Sequence, residues 1–346
     1  MSLRFWLNIG TVILLALVVF FGWDQITQAW GLLGNVNWWI LLLLIPVQFA
    51  SYFASGEIAF SYLRAKGDLK NMSRLKMARI ALELNFVNHI AIIPMAAGSS
   101  YFSWLLHHHG VKVGRSTMSQ IVRGTLVLAT FIIMLILSII ILSFDYKIGK
   151  PVLTFISILL GLAIFGIAFL IYIISSKKRS LWLSGWLSKF INKIGHICSR
   201  GKKCHILEPD KISSFFVELH HDYVEIMNDK KILVAPFWWS VSFMILDTLL
   251  ILISFWALGF WVNPAAIFIA FGLATIGSML AVTPGGAGVY EAVMVTFLAS
   301  AGLAANIAIA GTLLARVMLL AGTIVLGYAF YQLTVNKYGK INKSGL

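Results

Sequence analysis

The sequence predicts an all-α, polytopic membrane protein, and three observations carry that prediction. Sixty per cent of the 346 residues are hydrophobic and only 12% are charged, where a soluble domain carries about 25% charge. Apolar runs of bilayer length recur along the chain. The formal charge of +14 comes from Lys and Arg gathered into a few segments between those runs, as expected of loops facing anionic lipid rather than of a nucleic-acid-binding surface. Two cysteines give no disulfide framework.

Six runs read as spans: residues 5–22, 38–62, 118–144, 152–174, 232–260 and 307–333. Each approaches or exceeds the ~20 residues of a crossing. The first follows Arg4 but has no small-x-small cleavage site behind it, so a retained helix is expected rather than a signal peptide. Two further apolar regions are broken. One, at residues 80–110, carries Pro94 and Gly98; the other, at 264–303, carries Pro284, Gly285, Gly286 and Gly288. Each is expected to be a helical hairpin with its Pro/Gly residues at the tip.

Charge sets the expected topology. Residues 64–79 hold six Lys/Arg and residues 177–231 hold eleven, so both face the cytoplasm by the positive-inside rule. Two spans separate these loops, so the first hairpin enters and leaves from inside. The tail, with Lys337, Lys340 and Lys343, is also inside, so the second hairpin enters and leaves from outside. This arrangement puts 23 Lys/Arg inside, two outside, and Arg123 and Arg316 within spans, with both termini cytoplasmic. Residues 181–197 and 211–228 form amphipathic segments within the cytoplasmic insert 177–231, suited to the inner interface. Trp23, Trp30, Trp38 and Trp39 fit an outer aromatic belt.

The chain reads as one membrane domain, 1–346, built from a repeat at 1–145 and another at 146–346. Glu57 precedes Pro94 by 37 residues, and Asp247 precedes Pro284 by 37. Pro94–Gly98 and Pro284–Gly288 are both four apart, and Arg123 and Arg316 follow the prolines by 29 and 32 residues. With the halves running in opposite directions, this is the signature of an inverted repeat, whose interface binds substrate in transporters.

The string Thr283-Pro-Gly-Gly-Ala-Gly-Val-Tyr-Glu291 resembles the PGGxGxxE-type motif of the lysylphosphatidylglycerol synthase transmembrane-region family. The resemblance extends to the Asn85…Pro94…Gly98 stretch, the basic loop and both hairpins. It implies a flippase-like domain, which in bifunctional members moves an aminoacylated phospholipid and precedes a soluble aminoacyl-transferase. No such half follows before Leu346, so aminoacylation is not expected of this sequence.

Ionisable groups in spans are costly and mark candidate sites. Arg123 and Arg316 suit a lipid phosphate, since the guanidinium fork matches its oxygens. The alternative is a structural pair, Arg123 with Glu57 or Glu83 and Arg316 with Asp247 or Glu291. Glu57, Asp247 and Glu291 suit a cationic headgroup, a coupling proton, or those arginines. Glu83, Asn85, Asn88 and His89 form a polar stripe in the first hairpin arm, in which Asn85 and His89 share one face, as a polar cavity wall or as interhelical hydrogen-bonding groups. Gly285, Gly286 and Gly288 allow close backbone approach and an anion nest at the tip, or simply a tight turn. No metal and no cofactor are expected: His107-His108-His109 point in different directions on a helix, and His196, Cys198, Cys204 and His205 match no zinc spacing.

These residues predict a lipid flippase of the inner (plasma) membrane for a phosphate-headgroup lipid, either an aminoacyl-phospholipid or a lipid-linked glycan or polyprenyl phosphate. Expected contacts are that lipid, anionic inner-leaflet lipid at the basic loops, and a separate synthase or glycosyltransferase, with no nucleic acid. The competing functions are a non-transporting partner of such an enzyme and a secondary transporter of a soluble anion. An enzyme is not expected, because neither HExxH nor GxSxG occurs.

Overall fold

The computed structural model describes residues 31–70, 72–90, 94–145, 209–280 and 286–338, with shorter stretches between 161 and 186. Every regular element among the described residues is helical. Asn37 starts the first of them: its Oδ1 accepts from the backbone N–H groups of Trp39 (3.1 Å) and Ile40 (3.3 Å), supplying acceptors that a helix start lacks. The short helix α1 (Trp38–Leu42) runs through Leu43 into α2 (Leu44–Ala65). Then come α3 (Arg74–Ile90), α4 (Pro94–His107), α5 (Val113–Asp145), the insert helix α6 (Pro209–Asn228), α7 (Val234–Ala257), α8 (Pro264–Leu280), α9 (Val289–Ser300) and α10 (Ala305–Tyr338).

Four helical stretches are long and apolar enough to cross a membrane: Trp38–Ala65, Val113–Ser143, Lys230–Ala257 and Ala305–Tyr338. Shorter apolar helices lie at Pro264–Ser278 and Val289–Ser300. The span expected at 5–22 lies outside the described residues. The one at 152–174 is described only toward its end, where Ile164–Ile174 is helical and apolar.

Two series of four helices follow one plan. The first, α2 to α5, has lengths of 22, 17, 14 and 33 residues; the second, α7 to α10, has 24, 17, 12 and 34. In each, a long helix is followed by two shorter ones and then by a second long helix. The series are packed through each other. α2 lies along α7, α3 packs against α10, and α8 packs against α5. Each shorter pair therefore rests on the last helix of the other series.

Two apolar cores follow from this. One gathers Ile251 and Phe255 of α7, Phe268 of α8, Leu298 of α9 and Leu135 of α5. The other gathers Phe60 and Tyr62 of α2, Tyr101, Phe102 and Leu106 of α4 and Val122 of α5, with Tyr331 and Tyr338 of α10 against it. Outside, Ile133, Ile136, Leu137, Ile140 and Ile141 form an exposed apolar stripe on α5 at helical spacing. Such a stripe is costly in water and suits acyl chains. Exposed tryptophans sit at both ends of α7, Trp238 at its start and Trp261 beyond its end, where it stacks on Trp256; Trp38 and Trp39 are exposed as well. The Asn37 N–H donates to Ala257 O at 2.7 Å, which ties the latter end to α1.

One hairpin expectation changes. Gly98 is no tip residue: Pro94 opens α4, where a missing N–H costs nothing, and Gly98 is buried one turn inside it. A Cβ there would lie 1.9 Å from Asn88 Oδ1, so the glycine lets the two arms close. In the other pair, Pro284 and Gly285 lie outside the described residues. Gly286 (φ +68°) and Gly288 (φ +88°) take the left-handed conformation that glycine adopts freely, and Gly288 leads directly into α9. The amphipathic segment expected at 181–197 is helical at 181–186, with Trp182 and Trp186 exposed, and its remainder lies outside the described residues. The second, expected at 211–228, falls within α6. Glu225 of α6 pairs with Lys66, which fastens the insert to the end of α2.

Candidate functional site: an arginine and an aspartate on a serine seam

Four carboxylates lie inside the helix bundle: Glu57, Glu83, Asp247 and Glu291. Three have an arginine. Glu57, 2% exposed, is held by both terminal nitrogens of Arg64, one at 3.2 Å, and Arg64 also donates to Met77 Sδ at 2.9 Å. Glu83, fully buried, accepts from Arg79 Nε (2.8 Å), the Tyr101 hydroxyl (2.7 Å) and Thr334 Oγ1 (2.7 Å). Glu291 accepts from the Gly288 N–H at 2.6 Å, capping α9, and lies 3.1 Å from Arg316 Nε. The Arg316 guanidinium also sits 4.7 Å over the Tyr290 ring.

The pairing expected between Arg316 and Glu291 is therefore present. Those expected between Arg123 and Glu57 or Glu83 are absent, because loop arginines 64 and 79 reach back to these acids from seven and four residues away on the same helices. Asp247 is not paired with Arg316 either.

Among the described residues inside the bundle, Arg123 and Asp247 are the two charges left over. Arg123, part-buried in α5, donates to Ser55 Oγ (2.7 Å) and Gln120 Oε1 (3.4 Å), both neutral. Among the described residues no carboxylate pairs with it. The Nε2 of the same Gln120 is buried and has no acceptor. A guanidinium and the amide it touches thus both keep unspent donors, and among the described residues no anion receives them. Asp247, midway along α7, accepts from Ser51 Oγ at 2.8 Å, and among the described residues no cation pairs with it.

Both leftover charges are met by α2. Ser51 and Ser55 are four residues apart, hence on one face of the helix, and at most 1% exposed. Gln48 and Tyr52 continue this seam. Gln48 Nε2 donates to the Tyr52 hydroxyl (2.9 Å) and to Leu319 O (2.8 Å) of α10, and the Tyr52 hydroxyl bonds Thr323. The seam gives α2 a polar face where α5, α7 and α10 meet it. Sequence reasoning missed Gln48, Ser51, Tyr52, Ser55 and Gln120. The spacing 48, 51, 52, 55 was the available signal.

The other expected residues are placed as follows. Asn85 Nδ2 donates to Ala81 O of its own helix at 2.9 Å. His89 lies in α3, and its side chain is outside the described residues. Among the described residues no group of three His, Cys, Asp or Glu is arranged to hold a metal. His196, Cys198, Cys204 and His205 lie outside them.

The family model of the lysylphosphatidylglycerol synthase TM region matches residues 7–327. The chain belongs to this family. No curated protein matches it. As a lysylphosphatidylglycerol synthase TM-region protein, it is a multi-pass membrane protein of a family tied to lipid handling. Arg123, Asp247, Glu291, Arg316 and the whole α2 seam fall inside the matched residues. Tyr331, Thr334 and Tyr338, which hold α10 against the first shorter pair, lie beyond them.

Proposed function

We propose that this protein is a lipid flippase of the plasma membrane, moving a lipid with a phosphate headgroup, and that Arg123 binds the phosphate. The observation that carries this is the guanidinium inside a membrane helix whose described partners are a serine and a glutamine, beside a buried amide N–H₂ with no acceptor. A charge in a bilayer is retained at considerable cost, and such groups line substrate paths. Bidentate phosphate would satisfy the fork and the amide together.

The matched series of helices supports the rest of the reading. In it, six spans and two re-entrant pairs, α3–α4 and α8–α9, form an inverted repeat with both termini cytoplasmic. The pairs gate the site from opposite faces, with Gly286 and Gly288 near one gate. Arg316, already paired with Glu291, holds the second gate closed on α10. The protein is no enzyme and needs no cofactor. Anionic inner-leaflet lipid gathers at the basic loops, and a separate synthase or glycosyltransferase supplies the substrate.

The test is lipid movement in proteoliposomes with acyl-labelled phosphatidylethanolamine, phosphatidylglycerol, lysyl-phosphatidylglycerol and a polyprenyl phosphate, comparing wild type with Arg123→Gln and Arg123→Lys. Losing charge-assisted bonds worth about 1.5–3 kcal/mol slows Arg123→Gln at least tenfold, with Arg123→Lys between. Wild-type vesicles no faster than empty ones, or a full rate in Arg123→Gln, would refute the reading.

A further inference from the structure

We infer that the headgroup recognised at the seam is a zwitterion with one phosphate and one primary ammonium, the phosphate on Arg123 and the ammonium on Asp247. This rests on the flippase reading above and specifies its substrate. Inside the bundle, the arginines 64, 79 and 316 are paired with Glu57, Glu83 and Glu291 respectively. Among the described residues of the bundle one cation and one anion remain, and they do not neutralise each other. Each is held by a different serine of α2, Asp247 by Ser51 and Arg123 by Ser55, one helical turn apart.

Two opposite charges kept apart on buried hydroxyls are an expensive arrangement, because direct contact would satisfy both. A ligand carrying the reverse pair of charges removes the cost at both ends at once. Gln120 adds its unused N–H₂ at the phosphate end. At the ammonium end Asp247 has one hydroxyl donor, which leaves acceptor capacity for the N–H groups of an amine.

Charge counting also limits the ligand. A single spare carboxylate neutralises a single ammonium. A headgroup with no amine leaves Asp247 unmatched, and one with two amines leaves a second cation unmatched. Phosphoethanolamine and a phosphoglycerol bearing one neutral amino acid both fit; phosphoglycerol alone and its lysyl ester do not.

The experiment reconstitutes the full chain and measures movement of acyl-labelled phosphatidylethanolamine, phosphatidylglycerol and lysyl-phosphatidylglycerol, with uptake of glycerophosphoethanolamine as a separate arm. Wild type is expected to move phosphatidylethanolamine at least tenfold faster than either other lipid. Asp247→Asn, which keeps an acceptor for Ser51, should reduce that preference at least fivefold. Equal rates for the three lipids in wild type overturn the inference and leave the flippase standing. A preference that survives in Asp247→Asn overturns it as well. Uptake of glycerophosphoethanolamine with no lipid movement keeps the zwitterion site and refutes the flippase. Movement of nothing refutes both.

Discussion

Replacing Glu83 by alanine should destabilise the protein by about 3 kcal/mol. Its carboxylate is fully buried and takes three donors, from Arg79, Tyr101 and Thr334. Removing one partner of a buried ion pair costs about 3–5 kcal/mol, chiefly because the other charge is left unmatched. The Arg79 side chain is 34% exposed, so water reaches it and holds the cost at the lower end. Tyr101→Phe removes one bond of the three and should cost about 1–2 kcal/mol. The measurement is unfolding of the purified protein in mixed micelles by increasing SDS. Because the penalty is the stranded arginine, Glu83→Ala combined with Arg79→Met should lose less than the sum of the two single changes. A loss below about 1 kcal/mol for Glu83→Ala, or strict additivity in that cycle, would show that the network does not hold α3 in place.

Gly98→Ala should cost about 1–3 kcal/mol by the same assay, since its Cβ would overlap Asn88 Oδ1; adding Asn88→Ala should recover most of the loss, and no recovery would mean that the arms do not meet there. His109 lies edge-on to Tyr338, 6.0 Å between ring centres. Burial, and then Lys76, His108 and Lys337, hold its imidazole below the ordinary value, so folding favours the neutral ring. That contribution is complete above the unfolded value of about 6.5 and is lost as pH falls through the folded one. The protection factors of the amides at residues 335–338, exchange rates divided out by their intrinsic pH dependence, should therefore fall below about pH 6.5, and His109→Gln should flatten that fall; an unchanged profile in the variant would assign it elsewhere.

Much of the architecture is legible without coordinates, because hydropathy sees length. The runs at 38–62, 118–144, 232–260 and 307–333 each coincide with a helix of crossing length, the third overrunning its helix end at Ala257 by three residues, and the apolar regions broken by proline each become two shorter helices. The site is less legible. Counting positive charge assigns Arg64 and Arg79 to a loop, whereas each turns back along its own helix to a buried acid. That return is a matter of side-chain reach, which span counting ignores, and it is why Arg123 is left without Glu57 or Glu83. Serine is nearly neutral on hydropathy scales, so Ser51 and Ser55 vanish into the run that contains them. Gly98 misleads for another reason: its distance from Pro94 copies that of Gly288 from Pro284, but one glycine makes room for a neighbouring arm and the other turns the chain.

The grip on the first shorter pair also has a mechanical side. Arg79 reaches Phe330 O and Thr334 Oγ1, Phe86 stacks near Tyr328 and Tyr331, and Trp104 and His108 flank Tyr338. These contacts run along three turns of α10, from 328 to 338. Prising α3–α4 away from that helix would strip them all in one stroke. Carrying the three helices as a single lever breaks none of them, and puts the fulcrum at the long seam where α2 lies along α7.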